Sequence, residues 1–461
     1  MMDKKYDLIV IGSGPAGQKG AICATKHGKS AAVIDKKLTI GGVCVHTGTI
    51  PSKTLREAVL YFSGLRQRLF YGRNYMLKDN ITMQDLLFRA HAVRSREVEV
   101  IKAQLRRNGV VTYDGQAHFI DANTIEIAGE NPQQLSADFI LIACGTRPAH
   151  DPAIAVDGVH IFDSDEVECL PEIPRELVIV GAGVVGMEYG AMFAALGAKV
   201  TLIDQRSSLL EFADREIIDN LCFQLRRMGV VFRLGERVVE AGYEEERKRV
   251  FIKLESGKIA HGQALLYTVG RQANSDQLNM EAIGLNSGDR GKLSVNEFFQ
   301  TSIPNVYAAG DVIGFPSLAS TSMEQGRLAA CHMFGVPSKM VHNVIPYGIY
   351  TIPEVSMVGQ NEEQLTKSKI PYEVGMARYS ELAKGQMLGD EDGILKLLFH
   401  PDSLQLLGVH AVGDQAAEII HIGQTVLATG GTIEYFRDTV FNYPTLAEAY
   451  KVAALDGLNK L

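Results

Sequence analysis

The apolar positions of this chain fall into short, continuous runs that stop abruptly at glycine clusters. Tyr6-Asp7-Leu8-Ile9-Val10-Ile11 is a β-branched run without alternation, the pattern of a parallel strand covered on both faces. It passes directly into Gly12-Ser13-Gly14-Pro15-Ala16-Gly17 and then a helical stretch, Gln18 to His27. After Gly28 a second strand, Ala31 to Ile34, ends in Asp35. The plan recurs with Leu177 to Val180 as strand, Gly181-Ala182-Gly183-Val184-Val185-Gly186 as turn and Met187 to Leu196 as helix. Gly197 then breaks the helix, and a strand from Lys199 to Ile203 ends in Asp204. A third strand-to-helix signal is Val306-Tyr307-Ala308-Ala309-Gly310-Asp311-Val312, followed by a helical segment from Ser320 to Phe334. From about residue 345 the texture changes. The alternating stretches Gly393 to Phe399 and Leu407 to Val412 look like strands of a sheet, and helices are predicted from Ala416 and Thr445.

Each glycine of the repeated turn has its own reason. The first permits the tight turn, the second lets backbone approach a pyrophosphate, and the third lets helix and strand pack closely. The pyrophosphate then meets the unpaired N–H groups at the positive end of the helix, and the acid accepts ribose hydroxyls. One such turn is a weak signal, because steric demands alone produce glycine-rich turns. Two copies, each with strand, helix and acid in place, predict two dinucleotide-binding halves. Gly12, Gly14, Gly17 and Asp35 form the first set; Gly181, Gly183, Gly186 and Asp204 form the second.

Length and composition narrow the picture. At 461 residues the chain is too long for one ordinary core, so roughly three domains of about 150 residues are expected. A hydrophobic content of 46% with 22% charged residues is that of a globular protein. The net charge of −8 and pI near 5.9 argue against nucleic acid and against an anionic membrane surface. No apolar run reaches the roughly 18 residues of a membrane span, and the run at Leu8 is too short for a signal-peptide core. The expected location is cytoplasmic. Six cysteines, Cys23, Cys44, Cys144, Cys169, Cys222 and Cys331, include no Cys-x-x-Cys, and five read as reduced, mostly buried thiols. His91, His118, His400 and His421 have no ligand spacing and read as structural, so no metal site is evident.

The segment Gly41-Gly42-Val43-Cys44-Val45-His46-Thr47-Gly48-Thr49-Ile50-Pro51-Ser52-Lys53 resembles the redox-active segment of the FAD-dependent pyridine nucleotide-disulfide oxidoreductases. The resemblance runs the length of the chain, through Ala309-Gly310-Asp311, Tyr350 to Glu354 and Pro444-Thr445-Leu446. It implies an α/β fold with two Rossmann-like domains, for FAD and NAD(P), and a C-terminal α+β dimerisation domain. The expected boundaries are 1–147 and 271–344 for the two parts of the FAD domain, 148–270 for NAD(P), and 345–461 for dimerisation. It implies a homodimer, with the possibility of a higher oligomer left open. Gly310 and Asp311 would hold the ribityl and phosphate region of the flavin. Lys53, paired with Glu188, would stand beside the flavin N5, where a cation stabilises the charge of the reduced ring. Lys36, Gly42, Gly145 and Gly270 complete the implied cofactor-binding set.

Two departures from that family are informative. Its disulfide reductases carry Cys-x-x-x-x-Cys; here Cys44 is the first, but the second position is Thr49, which cannot form a disulfide. The family's acid–base histidine before Pro-Thr is here Tyr443, while the orienting glutamate remains as Glu448. A phenol with a pKa near 10 is a poor proton shuttle for thiols at neutral pH. Both changes remove the same chemical step. What remains fits hydride transfer from one nicotinamide to flavin and on to another, and the sequences around Lys53 and Tyr443 resemble those of the soluble, Si-specific pyridine nucleotide transhydrogenases.

Such an enzyme takes NAD(H) and NADP(H). Asp204 favours NAD(H) by repelling a 2′-phosphate, and Arg206 is placed to attract that phosphate. Cys44 reads as a lone thiol kept mainly for packing, and His46 as a polar neighbour rather than a proton donor. Tyr443 either lines the flavin from the second subunit or fills the space of an imidazole. An NAD(P)H diaphorase or oxidase passing electrons to quinones or oxygen is the alternative; a disulfide reductase is disfavoured by Thr49 and Tyr443. A non-enzymatic role is disfavoured because Lys53, Glu188, Gly310 and Asp311 are all retained.

Overall fold

In the computed structural model, residues 4–36, 40–72, 75–78, 80–129, 132–338 and 344–461 are described. The chain gathers into two compact units, one of Met1–Leu55, Leu87–Ala149 and Gly270–Met340, the other of Arg56–Leu86, His150–Val269 and Val341–Leu461.

The first unit is built on a seven-stranded sheet. Its central strand Lys4–Ile11 runs parallel to Ala31–Asp35 on one side and to Gln133–Ile142 on the other. Val111–Asp114 extends the sheet beyond Ala31–Asp35. Gln133–Ile142 is long enough to serve two partners: its first half pairs antiparallel with Thr124–Ala128, its last three residues parallel with Val306–Ala308. The strand Val306–Ala308, remote in sequence, is thereby placed beside Gln133–Ile142, the neighbour of the strand that leads into the first glycine turn. Leu8, Ile9 and Val10 are 0% exposed, which is why this run needs no alternation. The first helix spans Pro15–Lys26, beginning three residues before its sequence-read start. Proline at the first helical position accounts for that, since its fixed φ suits the helix and its missing N–H would have no partner there.

The second unit holds a five-stranded, all-parallel sheet in the order Val231–Leu234, Lys199–Asp204, Glu176–Val180, Ala264–Tyr267, Ile161–Asp163. A three-stranded antiparallel sheet, Val238–Glu244, Arg249–Leu254 and Ile259–Gly262, accompanies it. The C-terminal part forms an antiparallel five-stranded sheet from Tyr347–Ile349, Glu354–Gly359, Leu406–Gly413, Ile394–Phe399 and Glu373–Arg378. Both expected stretches are strands, although burial along them does not alternate. Every residue of Ile394–Phe399 is buried, because helices Ala416–Ala428 and Glu448–Leu458 pack onto the sheet. The last helix begins at Glu448 rather than Thr445, whose hydroxyl instead donates to the Asn442 carbonyl at 2.7 Å in a turn. Among the described residues no helix is long and apolar enough to cross a membrane.

Candidate active site

The two glycine turns adopt one geometry. At Gly12 (φ +104°) a Cβ would stand 2.3 Å from the Ala143 carbonyl oxygen, and at Gly17 it would stand 2.0 Å from that of Gly12. At Gly181 (φ +101°) it would meet the Thr268 carbonyl oxygen at 2.8 Å, and at Gly186 that of Gly181 at 1.9 Å. The outer glycines of each turn are therefore demanded by the protein's own packing. The middle ones are not. A Cβ on Gly14 would meet nothing within 4 Å, and one on Gly183 only the tip of Arg206 at 4.0 Å. In both turns the open face lies at the N-cap of the helix, Pro15–Lys26 or Val184–Ala195, where N–H groups point outward.

The acids that end the second strands are equivalent as well. Asp35 accepts the Ser13 N–H at 2.7 Å, and Asp204 accepts the Ala182 N–H at 2.7 Å; each pair is 22 residues apart. The Ser13 hydroxyl adds a second bond to Asp35. Asp204 also accepts from Arg206: its backbone N–H at 2.9 Å, Nε at 2.9 Å and Nη2 at 2.7 Å. Burial works to raise the Asp204 carboxyl, yet the Arg206 and Ala182 bonds outweigh it and hold the group below the usual carboxylate range. The same bonds raise the Arg206 guanidinium. The second turn is further locked by Thr268, whose hydroxyl donates to the Gly181 carbonyl at 2.7 Å.

In the first unit, loop residues Gly41 (φ +110°) and Gly42 (φ +60°) pack against the first turn; a Cβ on Gly42 would lie 3.1 Å from the Gly14 Cα. Short helix Gly42–His46 follows, then Thr49–Ser63. The Cys44 thiol is pushed up by burial, and the neighbouring Thr49 hydroxyl works the other way. Asp311 and Lys53 both lie close enough to act on that thiol electrostatically. Gly310 (φ +84°) donates its N–H to the Gln325 side chain at 2.9 Å. Burial raises the Asp311 carboxyl, opposed by Arg271 and by the Thr146 hydroxyl at 3.4 Å. Arg271 holds that strip together through the Thr146 hydroxyl at 2.9 Å and carbonyl at 3.0 Å. Gly145 (φ +64°) stands next to it, its carbonyl accepting the Asn274 N–H at 3.0 Å.

The fold thus brings Gly12, Gly14, Gly17, Asp35 and Gly42 to one place, with Cys44, Lys53, Gly310 and Asp311 in the same unit. Lys36 follows Asp35 on an exposed turn. Gly181, Gly183, Gly186, Asp204 and Arg206 assemble in the other unit. Glu188, 5% exposed, sits in that unit too, accepting the Tyr350 N–H at 2.8 Å; Lys53 belongs to the first. Gly270 (φ +83°) opens the last segment of the first unit, where a Cβ would collide with the Arg290 guanidinium at 1.8 Å. Tyr443 is 73% exposed on the C-terminal part. The Nε2 of His46 lies 3.1 Å from the Ile40 carbonyl oxygen. Of the other cysteines, Cys169 is exposed and Cys144 half-buried. Ser13, Thr268, Gln325 and Arg271 escaped sequence reading; only Ser13 had a signal, its place between the first two glycines.

Residues 6–326 match the model of the pyridine nucleotide-disulphide oxidoreductases, and residues 345–454 match that family's dimerisation domain. The chain belongs to the pyridine nucleotide-disulphide oxidoreductase family. Membership in this oxidoreductase family implies FAD and nicotinamide nucleotides as cofactors, and the matched C-terminal domain supports a homodimer. Over 463 residues the chain is 50% identical to a soluble pyridine nucleotide transhydrogenase of Mycobacterium bovis, covering 99% of this chain and 98% of that protein. It is 45% identical to a protein of the same name from Colwellia psychrerythraea, again over 99% and 98%. Among solved structures it is similar to LpdA from Mycobacterium tuberculosis (TM-score 0.90, 25% identity, 98% of this chain and 99% of that one). It is similar also to the HOCl-induced flavoprotein disulfide reductase RclA from Escherichia coli (TM-score 0.88, 25% identity, the same coverage).

Proposed function

We propose that this oxidoreductase is a transhydrogenase of the Si-specific class, moving hydride between NADPH and NAD+ by a ping-pong route through FAD and without a redox disulfide. The observation that carries the reading is Thr49 beside Cys44, close enough to act on its thiol, because a hydroxyl there leaves the thiol no sulfur partner in its helix segment. The names of the relatives at 45–50% identity point the same way.

The residues present fit the two nucleotides. Outer glycines that the protein needs and middle glycines that it does not leave room for a pyrophosphate over each turn. In this reading 1–147 and 271–344 bind FAD, 148–270 binds NAD(P) and 345–461 makes the homodimer, in the cytoplasm. Gly12, Gly14, Gly17, Asp35, Lys36, Gly42, Gly145, Gly310 and Asp311 hold the flavin nucleotide. When bound, FAD supplies a ring that accepts hydride from one nicotinamide and gives it to the next. Lys53 contributes a cation beside that ring, and Glu188 its counter-charge. Gly181, Gly183, Gly186 and Gly270 shape the nicotinamide-nucleotide side, and Asp204 with Arg206 lets both NAD(H) and NADP(H) bind. Cys44 keeps its proton, since burial disfavours the thiolate, and Tyr443 stands where proton transfer is no longer required.

Anaerobic stopped-flow absorbance tests this. The protein reduced by NADPH is mixed in turn with NAD+, oxidised glutathione, lipoamide, a quinone and oxygen. Rapid reoxidation by NAD+ with no response to either disulfide is expected. Turnover with a disulfide would overturn the reading of Thr49 and Tyr443, and rapid reoxidation by quinone or oxygen but not NAD+ would replace the transhydrogenase with a diaphorase or oxidase.

A further inference from the structure

From the first glycine turn onward, helices Pro15–Lys26 and Ala319–Met333 run together at a backbone-to-backbone approach. A Cβ on Gly326 would lie 2.0 Å from the Ala16 carbonyl oxygen, and one on Gly20 would lie 3.2 Å from the Gly326 oxygen. One turn further along each helix the two surfaces present Cys23 and Cys331, 308 positions apart in sequence, with their sulfurs 3.6 Å from one another. Both thiols are free and buried, 9% and 2% exposed. The helical turn closed by the His27 N–H on the Cys23 carbonyl at 3.3 Å carries His27 to the same place. One ring nitrogen and the two sulfurs all lie within 4.8 Å of one another, with His27 exposed at the mouth.

We propose that Cys23, His27 and Cys331 form a binding site for a thiolate-preferring divalent d10 cation of the zinc type. Two thiolates bound tetrahedrally with metal–sulfur bonds of about 2.3 Å stand roughly 3.8 Å apart, close to the spacing that the helix contact already imposes. A disulfide needs sulfurs at about 2.05 Å, roughly 1.5 Å closer than these two stand. The third ligand also distinguishes the two chemistries: a disulfide has no use for an imidazole, whereas His27 supplies a neutral nitrogen from a side chain free to rotate. Protein ligands number three, and the exposed side leaves the fourth position to water.

Binding is not a redox step. The cation replaces one proton on each thiol, two protons leave to solvent, and the centre of cation and two thiolates is neutral. Arg327, whose Nη1 lies 3.7 Å from the Cys331 sulfur, stabilises the thiolate, while Glu324 engages the same guanidinium and balances it. Both thiol protons must leave for the cation to bind, so protons compete with it for the site. Affinity therefore falls as pH falls. A bound cation would pin together two helices, one with Gly14 at its N-cap and the other holding Gly310 through Gln325.

The test uses the holoprotein under reducing conditions. Zn2+ uptake is measured by equilibrium dialysis, and Co2+ by its d–d absorption to the red of any flavin band. One equivalent per chain is expected, with a thiolate–cobalt charge-transfer signal. Losing a group that only hydrogen-bonds to a metal's ligand already costs about 10–100-fold in affinity, so C23A and C331A should each lose about a hundredfold or more. The exposed variant H27A, which cannot disturb the core, should weaken binding about tenfold or more and C44S should not change it. Uptake unaffected by C23A, C331A and H27A, or no uptake at micromolar Zn2+, would overturn the proposal. So would loss of two titratable thiols in air that C23A and C331A abolish, which would assign the pair to a disulfide.

Discussion

The guanidinium of Arg206 lies along the carboxylate of Asp204, Nε 2.9 Å from Oδ1 and Nη2 2.7 Å from Oδ2, so the base two residues on answers the acid that ends the second dinucleotide strand. A ribose with a free 2′-hydroxyl asks only for the carboxylate; a 2′-phosphate must draw the guanidinium away from it. A charge-assisted bidentate contact is worth about 1.5–3 kcal/mol, roughly ten- to hundredfold in binding. Arg206→Ala should raise the KM for NADPH by that factor and leave NADH within a few-fold. Asp204→Ala should shift the preference toward NADPH. Rates of flavin reduction by each nucleotide separate the two outcomes; equal effects of Arg206→Ala on both would remove Arg206 from nucleotide selection.

The matching glycine geometry gives a way to tell the two nucleotide sites apart. Gly17→Ala places a methyl 2.0 Å from the Gly12 oxygen, and Gly186→Ala places one 1.9 Å from the Gly181 oxygen. Relieving such contacts costs about 1–3 kcal/mol, roughly ten- to hundredfold in ligand affinity. The first variant is expected to lose flavin on gel filtration. The second should stay yellow but be reduced by NADPH only at much higher concentration.

Thr49→Cys puts a second sulfur where a hydroxyl now stands beside the Cys44 thiol. The variant should lose two titratable thiols on air oxidation and regain them with dithiothreitol. Disulfide reductase turnover should remain absent, because Tyr443 still stands in place of a proton-transferring imidazole. Appreciable turnover with lipoamide would mean that the tyrosine is not the barrier.

Lys396 is a structural cation. Its side chain is 0% exposed and its ammonium donates to Asp214 at 3.0 Å, to Glu216 at 3.0 Å and to Glu362. Burial opposes its charge, but the three carboxylates raise its pKa above the ordinary lysine value. Lys396→Met would strand Asp214, the N-cap of helix Arg215–Arg227, as a buried charge without its partner. Because Glu216 and Glu362 keep contact with solvent, the loss should be near the lower end for a broken buried pair, about 3 kcal/mol, readable in urea denaturation.

Asp390 makes a pH prediction. Burial pushes its carboxyl up to about 6, with backbone N–H groups of Asp414 and Gly393 only partly compensating. The folded state then binds a proton more readily than the unfolded chain, whose aspartates titrate near 3.9. The penalty is absent below about pH 4 and complete above about pH 6, so this group makes the fold less stable as pH rises through that window. After allowance for solvent screening it amounts to about 2 kcal/mol at most. Thermal melts should show Asp390→Asn gaining on the wild type between pH 4 and pH 7; a constant difference would remove Asp390 as the titrating group.

Both glycine turns, both acids and the Cys44/Thr49 and Tyr443 departures were legible in the sequence. Each is a local statement: a strand, a turn and a helix follow one another within a few tens of residues, and steric rules act between near neighbours. The base at Arg206 was legible too, but not that its guanidinium clasps Asp204, because the direction of a side chain depends on what surrounds it. Distant relationships were invisible for a plainer reason. Strand Val306–Ala308 joins the sheet only because Gln133–Ile142 outruns its first partner, and that pairing carries Asp311 toward Cys44. Two glycines on different helices let the backbones touch, and this contact alone sets Cys23 beside Cys331. Lys396 reads as a polar interruption in a strand until three carboxylates from other elements close around it. The sequence by itself determined which backbone could receive a dinucleotide, since that depends on residues in covalent succession. Which side chains meet was decided by the tertiary structure, because packing brings together groups that no local period relates.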